Sequence, residues 1–242
     1  MTTSLTIVSV LPELLGTNGD AANARVLRRR AEWAGFEANV VEVRSAADLP
    51  AVVDAVVVGS GTDGDLATAR DILATMTTEF RTWSTGGVPI LAVGTGWELL
   101  SWGIEQADGP VIEGLGLVAG RAVPRTERVT DDLVVKTKYG RLIGFENHAR
   151  DYVGAEGSPL GRVLSGTGNG AGFEGLVMGE FFGTHLHGPV LARNPQFADH
   201  LLEIMAARHG ASYRRGEDAI FADEMAKAAR NQIAVRLGQA PE

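Results

Sequence analysis

Up to Gly103 the chain alternates short apolar runs with helical stretches, and that alternation limits the fold more than any other feature. The runs "LTIVSV" (residues 5–10), "EANVVEV" (37–43), "AVVVG" (55–59) and "PILAV" (89–93) each end in a glycine-rich or polar turn. Between them, residues 20–34 place Val26, Leu27 and Ala31 on one side of a helix that stops at Gly35. A second helix is expected over residues 65–83, and a third begins near Trp97. Strands alternating with helices predict a parallel sheet covered on both faces, with its ligand crevice at the C-terminal ends of the strands.

After Gly103 the texture changes. "VIEGLGLVAGRAVP", "DLVVKTKYG", "RLIGFENH" and "GLVMGEFFGTHLHG" are short apolar runs separated by Gly and polar turns, which predicts an antiparallel addition to the sheet. Asn194 and Pro195 then supply an N-cap and a first-turn proline, and Phe197, Leu201, Ile204 and Met205 follow at helical spacing up to Gly210. A last helix is expected over residues 217–237, with Ile220, Phe221, Met225, Ile233 and Leu237 spaced to bury one side. The expected division is a main domain, 1–210, and a helical extension, 211–242.

Composition narrows the function. At 242 residues and 45% hydrophobic content the chain can bury a substantial core. A formal net charge of −8 argues against a nucleic-acid surface, and the run Arg28-Arg29-Arg30 reads as a solvated helix face. No run of about 18 apolar residues is available to span a bilayer, and the first residues lead directly into a strand, so a cytoplasmic location is expected. The absence of cysteine removes disulfides, thiolate zinc sites and any cysteine nucleophile.

That last absence matters at "VPILAVGTGWELLSWG" (88–103), a buried strand that turns sharply at Gly94-Thr95-Gly96 into a helix, the pedestal on which many hydrolases mount a nucleophile. Three loops should meet above the sheet: residues 16–23, which include Asp20 and Asn23, residues 59–65, and residues 94–97. The first lacks the Lys-Ser/Thr ending of a P-loop and the spacing of a dinucleotide fingerprint, so nucleotide binding is weakly supported. Gly59-Ser60-Gly61 could offer backbone N–H groups to a developing oxyanion, or could simply start a helix. His185 and His187 are two apart and could share a strand face, with His148 as a third metal ligand; structural histidines are the plainer alternative. His187, before Gly188-Pro189 at a strand tip, suits a general base.

Residues 11–30, "PILAVGTGW", "GFENHARD" (144–151), "GTGNGAGFEG" (166–175) and "GTHLHGPVLARNPQFADHLL" (183–202) together resemble the GatD-type class I glutamine amidotransferases, relatives of the cobyric acid synthase glutaminase domain. The resemblance runs in the same order over residues 4–208. It implies a flavodoxin-like α/β fold with a mixed sheet flanked by helices. It also implies a subunit that hydrolyses glutamine without a cofactor and passes ammonia to a Mur-ligase-like partner, MurT, which amidates D-glutamate in the peptidoglycan precursor lipid II using ATP. The family's Ala-Ile-Cys-Gly-Gly-Tyr falls on Ala92 to Trp97, so Gly94 stands where the nucleophilic cysteine belongs and Thr95 follows it with an oxyanion N–H. The family's catalytic histidine falls on His187, with His185 replacing a tyrosine. A glutamine-binding arginine falls on Arg128, and the oxyanion Gly-Gly on Gly59-Ser60. Glu146, Asn147 and His148 match the family's Phe-Glu-Asn-His, and Asp20 and Asn23 line the same region.

A glycine has no side chain with which to attack a carboxamide, so the chain as written is expected to be inactive as a glutaminase. Departures at Asn18, Ser60, Thr95 to Glu98 and His185 surround that loss, as relaxed catalytic demand allows. Three readings follow: a GatD-type subunit without its cysteine, a pseudo-amidotransferase that regulates a Mur-ligase-like partner, and a small-molecule binding module. Ser60 or Thr95 as a replacement nucleophile is the minor alternative. Gly94→Cys is expected to recover some glutaminase activity if the pocket is otherwise intact.

Overall fold

The computed structural model describes residues 3–242. The first half builds the alternation expected from the sequence: β1 (Ser4–Val10), α1 (Ala22–Trp33), β2 (Glu37–Val43), β3 (Ala55–Val58), α2 (Leu66–Ala74), α3 (Thr77–Thr85), β4 (Ile90–Val93) and α4 (Thr95–Leu100). The single helix expected over residues 65–83 is broken into α2 and α3. Thr75 and Thr77 turn their hydroxyls onto the carbonyls of Ile72 (2.7 Å) and Ala74 (2.9 Å), local bonds that compete with continuation of the helix.

The second half contributes β5 (Gly103–Ile104), β6 (Ile112–Glu113), β7 (Arg121–Thr137), β8 (Gly140–Val153), β9 (Gly161–Ser165), β10 (Phe173–Glu174), β11 (Leu176–Met178), β12 (Phe181–Thr184), α5 (Val190–Arg193), α6 (Pro195–Arg208) and α7 (Asp218–Arg236). The main sheet has the order β11-β12-β4-β3-β1-β2, parallel except for β11. The antiparallel part expected as an addition to it is instead mostly a second sheet, β10-β9-β7-β5-β6 with β8 paired to β7. Only β11 extends the main sheet in antiparallel fashion.

Side-chain alternation sets the two apolar layers of the main sheet. Val56, Val58, Ile90 and Ala92 face Leu73, Phe80 and Trp83 on one side. Val57, Leu91 and Val93 face Leu27, Phe197 and Leu201 on the other. All residues of β3 and β4 are buried, as parallel strands covered on both faces require.

Asn194 precedes α6 and Pro195 occupies its first turn, but the Asn194 side chain does not cap the helix. Its amide oxygen accepts from Ile143 N–H (2.9 Å) and its amide nitrogen donates to Ile143 O (3.0 Å), tying α6 to β8. Arg30 also departs from expectation. It is buried, 4% exposed, and its guanidinium bridges Asp199 on α6 (2.6 Å) and Asp223 on α7 (2.7 Å). Burial opposes the charge, but the bonds to Asp223 and Asp199 outweigh it and hold the group more firmly protonated than usual. A solvated arginine run has thus become, at one position, the pin between three helices.

The last helix follows its apolar pattern only at its C-terminal end. Ile220, Phe221 and Met225 are exposed, while Ala219, Ala226, Arg230 and Ala234 are buried. Alanines let α7 approach closely: Ala234 packs against Val134 of β7 and Ile143 of β8, with Ile233 and Leu237 at the edge.

Candidate active site

The ends of β1, β3, β4 and β12 deliver four chain segments to one place. β4 runs into Gly94, whose N–H donates to Thr184 O (2.9 Å) at the end of β12. Gly94 adopts φ 52° and ψ −126° before turning into α4, a left-handed conformation that favours glycine and brings residue 94 to the point of a sharp elbow. β3 runs into Gly59, where a Cβ would strike the Leu15 carbonyl, so the loop after β1 crosses the β3 end at backbone contact. Thr17 N–H to Ser60 O (2.9 Å) fixes that crossing.

His187 stands beside the elbow. Its Nδ1 donates to Asp20 Oδ2 (2.8 Å), while Asp20 Oδ1 accepts from Gly188 N–H (2.9 Å). Both side chains are buried. With Nδ1 carrying the proton toward Asp20, Nε2 presents its lone pair, the tautomer required of a general base; Nε2 has no partner among the described residues. Asn18, itself at φ 64°, lies between this pair and Asn147, which donates to its amide oxygen (3.3 Å).

Opposite His187 the elbow is filled. A Cβ added to Gly94 would lie 2.6 Å from Ser60 Oγ, 3.0 Å from Ser60 Cβ and 2.8 Å from His187 Cε1. Ser60 Oγ accepts from Thr95 N–H (3.3 Å) and lies 3.2 Å from Thr95 Oγ1, which in turn accepts from Gly61 N–H (2.7 Å). The N–H groups of Thr95 and Gly61, expected to face an oxyanion, therefore face hydroxyls of the chain itself.

In front of the elbow is a cavity of about 290 Å³, small for a ligand site. Gly94, Ser60, Gly61, Thr95, Arg128, Asn147 and His148 line it. Arg128 arrives through an irregularity in the β7–β8 pairing between Pro124 and Val129, and its Nε donates to Asn147 Oδ1 (2.8 Å). Asp63 and Arg150 line the cavity without standing out in the sequence, and Arg150 bridges Glu98 (2.8 Å) and Asp63 (2.9 Å) at its wall. Burial opposes the Arg150 charge, and the two carboxylates more than restore it. The signal was available: Arg150 lies two residues beyond His148 on the same strand. The lining thus carries both signs of charge, with Asp63 and Glu98 paired to Arg150 and Arg128 outside that pairing.

Gly59, Asp20 and His187 do not line the cavity, and neither do the remaining candidates. Asn23 is buried and accepts from Leu191 N–H (3.0 Å), securing the first turn of α5. Glu146 is buried and accepts from the Thr167 (2.6 Å) and Gly168 (2.8 Å) N–H groups and from His148 Nε2 (3.1 Å). The other nitrogen of His148 faces Arg150 O (2.6 Å), so the ring is held between two neighbours. His185 stacks on His148 with ring centres 4.3 Å apart, and its Nδ1 faces Glu174 Oε2 (3.2 Å). Burial, helped by His148, pushes the His185 imidazole below its ordinary range although Glu174 opposes the shift. Burial works against the Glu174 carboxylate, but bonds from His185 and Thr184 outweigh it and hold its pKa below the usual value. The face-sharing expected of His185 and His187 fails because β12 ends at Thr184, so the two rings turn to different carboxylates.

Known proteins share this arrangement of strands and loops. Residues 6–195 match the CobB/CobQ-like glutamine amidotransferase domain. The chain is 32% identical over 218 residues to the lipid II isoglutaminyl synthase (glutamine-hydrolyzing) subunit GatD of Staphylococcus aureus, covering 88% of this chain and 89% of that one. Against the GatD subunit of Streptococcus pneumoniae the identity is 30% over 205 residues, covering 82% and 79%. A crystal structure of a glutamine amidotransferase superposes with a TM-score of 0.55 at 22% identity, covering 82% of this chain and 98% of that one, a likeness of fold.

Proposed function

From the premise that this chain belongs to the CobB/CobQ-like glutamine amidotransferase family, we propose that it serves as a GatD-type subunit of a lipid II isoglutaminyl synthase whose own glutaminase step is silent. In an active member a thiol at the elbow attacks the glutamine carboxamide, a histidine removes the thiol proton and protonates the departing ammonia, and water releases glutamate from the thioester. In this reading His187, held by Asp20, takes the base role and Arg128 meets a substrate carboxylate. Gly94 provides no atom to attack. Loss of a nucleophile costs about 10⁶ in turnover, or roughly 8 kcal/mol of barrier.

The observation that carries this reading is the elbow itself: the backbone at Gly94 is held at φ 52° and ψ −126° beside a buried His187–Asp20 pair, with no nucleophilic side chain at its tip. The partner is a Mur-ligase-like subunit, MurT in the resemblance, within a cytoplasmic complex. Residues 1–210 form the amidotransferase-like domain of this reading and residues 211–242 its extension. Ammonia then reaches the ligase from solution or another source, and the subunit acts by docking and by holding a small amino acid.

Co-expression with the Mur-ligase-like subunit tests this. The expected result is co-purification of a complex that amidates its acceptor with ammonium chloride and releases no glutamate from glutamine. Failure of the two chains to associate, or glutamine-dependent amidation by the complex, contradicts it.

A further inference from the structure

Ser60 crowds the elbow in two ways. Its hydroxyl lies 2.6 Å from the place a Cβ at residue 94 would take, so any side chain there meets it below van der Waals contact. The same hydroxyl accepts the Thr95 N–H at 3.3 Å, the group an oxyanion would use. Ser60 is 5% exposed, and Thr17 N–H holds its carbonyl at 2.9 Å, so the residue is seated firmly. Thr95 Oγ1 closes the arrangement by taking the Gly61 N–H at 2.7 Å.

We propose that Ser60 is a second lock on this site, independent of Gly94: its side chain fills the nucleophile's first-carbon position and caps the oxyanion donor, so a thiol at residue 94 becomes competent only when Ser60 is also reduced to glycine. The proposal rests on the reading of this pocket as a silent glutaminase site. It gives a structural reason for the condition on the sequence expectation, that Gly94→Cys recovers activity only if the pocket is otherwise intact. The His187 ring lies 2.8 Å from the same point and is held through Nδ1 by Asp20, while Ser60 hangs on a backbone fixed by the crossing loop, so a side chain at residue 94 is crowded from both sides.

The test is a double-mutant cycle at residues 60 and 94, with two readouts that need no substrate. The first is thermal stability of Gly94→Ala and Gly94→Cys, each with and without Ser60→Gly. The strain of a side chain at positive φ is common to both members of each pair and cancels, leaving the contact with Ser60. Ser60→Gly is expected to raise the midpoint of the Gly94 variants by about 4 °C or more, and not to raise that of the parent. The second is alkylation by iodoacetamide across pH of the thiol that Gly94→Cys introduces, the only thiol in the chain. The double variant is expected to react at least about tenfold faster at pH 7, with its rate profile shifted to lower pH, as a thiol paired with a histidine behaves. Additive stabilities with equal alkylation of Gly94→Cys in both backgrounds overturn the proposal, as does failure of both members of each pair to fold. Glutamate release by the double variant is recorded separately. Its absence despite coupled stability and alkylation leaves Ser60 as a lock and counts against glutamine as the pocket's ligand.

Discussion

The two sides of the elbow have diverged. On the β12 side, His187, Asp20 and the Gly188 N–H form a closed and buried set of bonds. On the β3–β4 side, Gly94 lacks a side chain, and Ser60 and Thr95 have turned their hydroxyls onto the N–H groups around it. The difference teaches that a histidine–carboxylate pair can persist for reasons other than turnover. Asp20 joins the loop after β1 to the segment after β12, and Asn23 makes a parallel tie to Leu191, so this side carries fold stability whatever chemistry is lost. The opposite side carries little, and could be refilled.

The largest expected effect therefore lies on the supposedly catalytic side. Asp20→Ala leaves a buried imidazole and the Gly188 N–H without their acceptor and should cost about 3 kcal/mol of unfolding free energy, read by urea denaturation. A loss under about 1 kcal/mol would break the comparison, because the pair would then have no structural reason to persist.

The next effect is acid sensitivity from His185. Its folded-state pKa lies below the ordinary value because burial, with His148 beside it, disfavours the charged ring. The stability this represents is present above about pH 6.5. It is lost as pH falls from there toward the depressed folded value, because the unfolded chain takes up a proton that the folded chain refuses. The slope from one such group is at most about 1.4 kcal/mol per pH unit. Denaturation curves between pH 7 and 5 should show that component in the parent and its loss in His185→Gln; equal slopes would remove His185 from the account.

The smallest effect belongs to the refilled side. Ser60→Gly in the parent removes hydroxyl bonds to Thr95 and adds backbone freedom, and should change stability by about 1 kcal/mol or less. A loss matching that of Asp20→Ala, measured in the same urea titration, would show that both sides are equally built into the fold.

Much of this was legible in the sequence where period and punctuation act locally. The strands β1 to β4, the helix stop at Gly35, the elbow at Gly94 and the start of α6 at Pro195 all follow from residues close in the chain. What was not legible depends on partners far away. Arg30 reads as one of three exposed arginines until Asp199 and Asp223 close on it. The α7 pattern misleads because hydrophobicity ranks Phe221 above Ala234, whereas close packing on β7 and β8 selects the smaller residue. Ser60 reads as a loop serine or oxyanion neighbour; only its distance from the empty side of Gly94 gives it a second role.

The most direct measurement of the central claim is glutamate release from glutamine by the purified complex with its ligase partner, compared with the same complex carrying His187→Ala. The account expects both to remain at the buffer background, since there is no nucleophile for His187 to activate. Release well above background by the parent complex, lost in His187→Ala, would contradict it and would place a working nucleophile in this pocket.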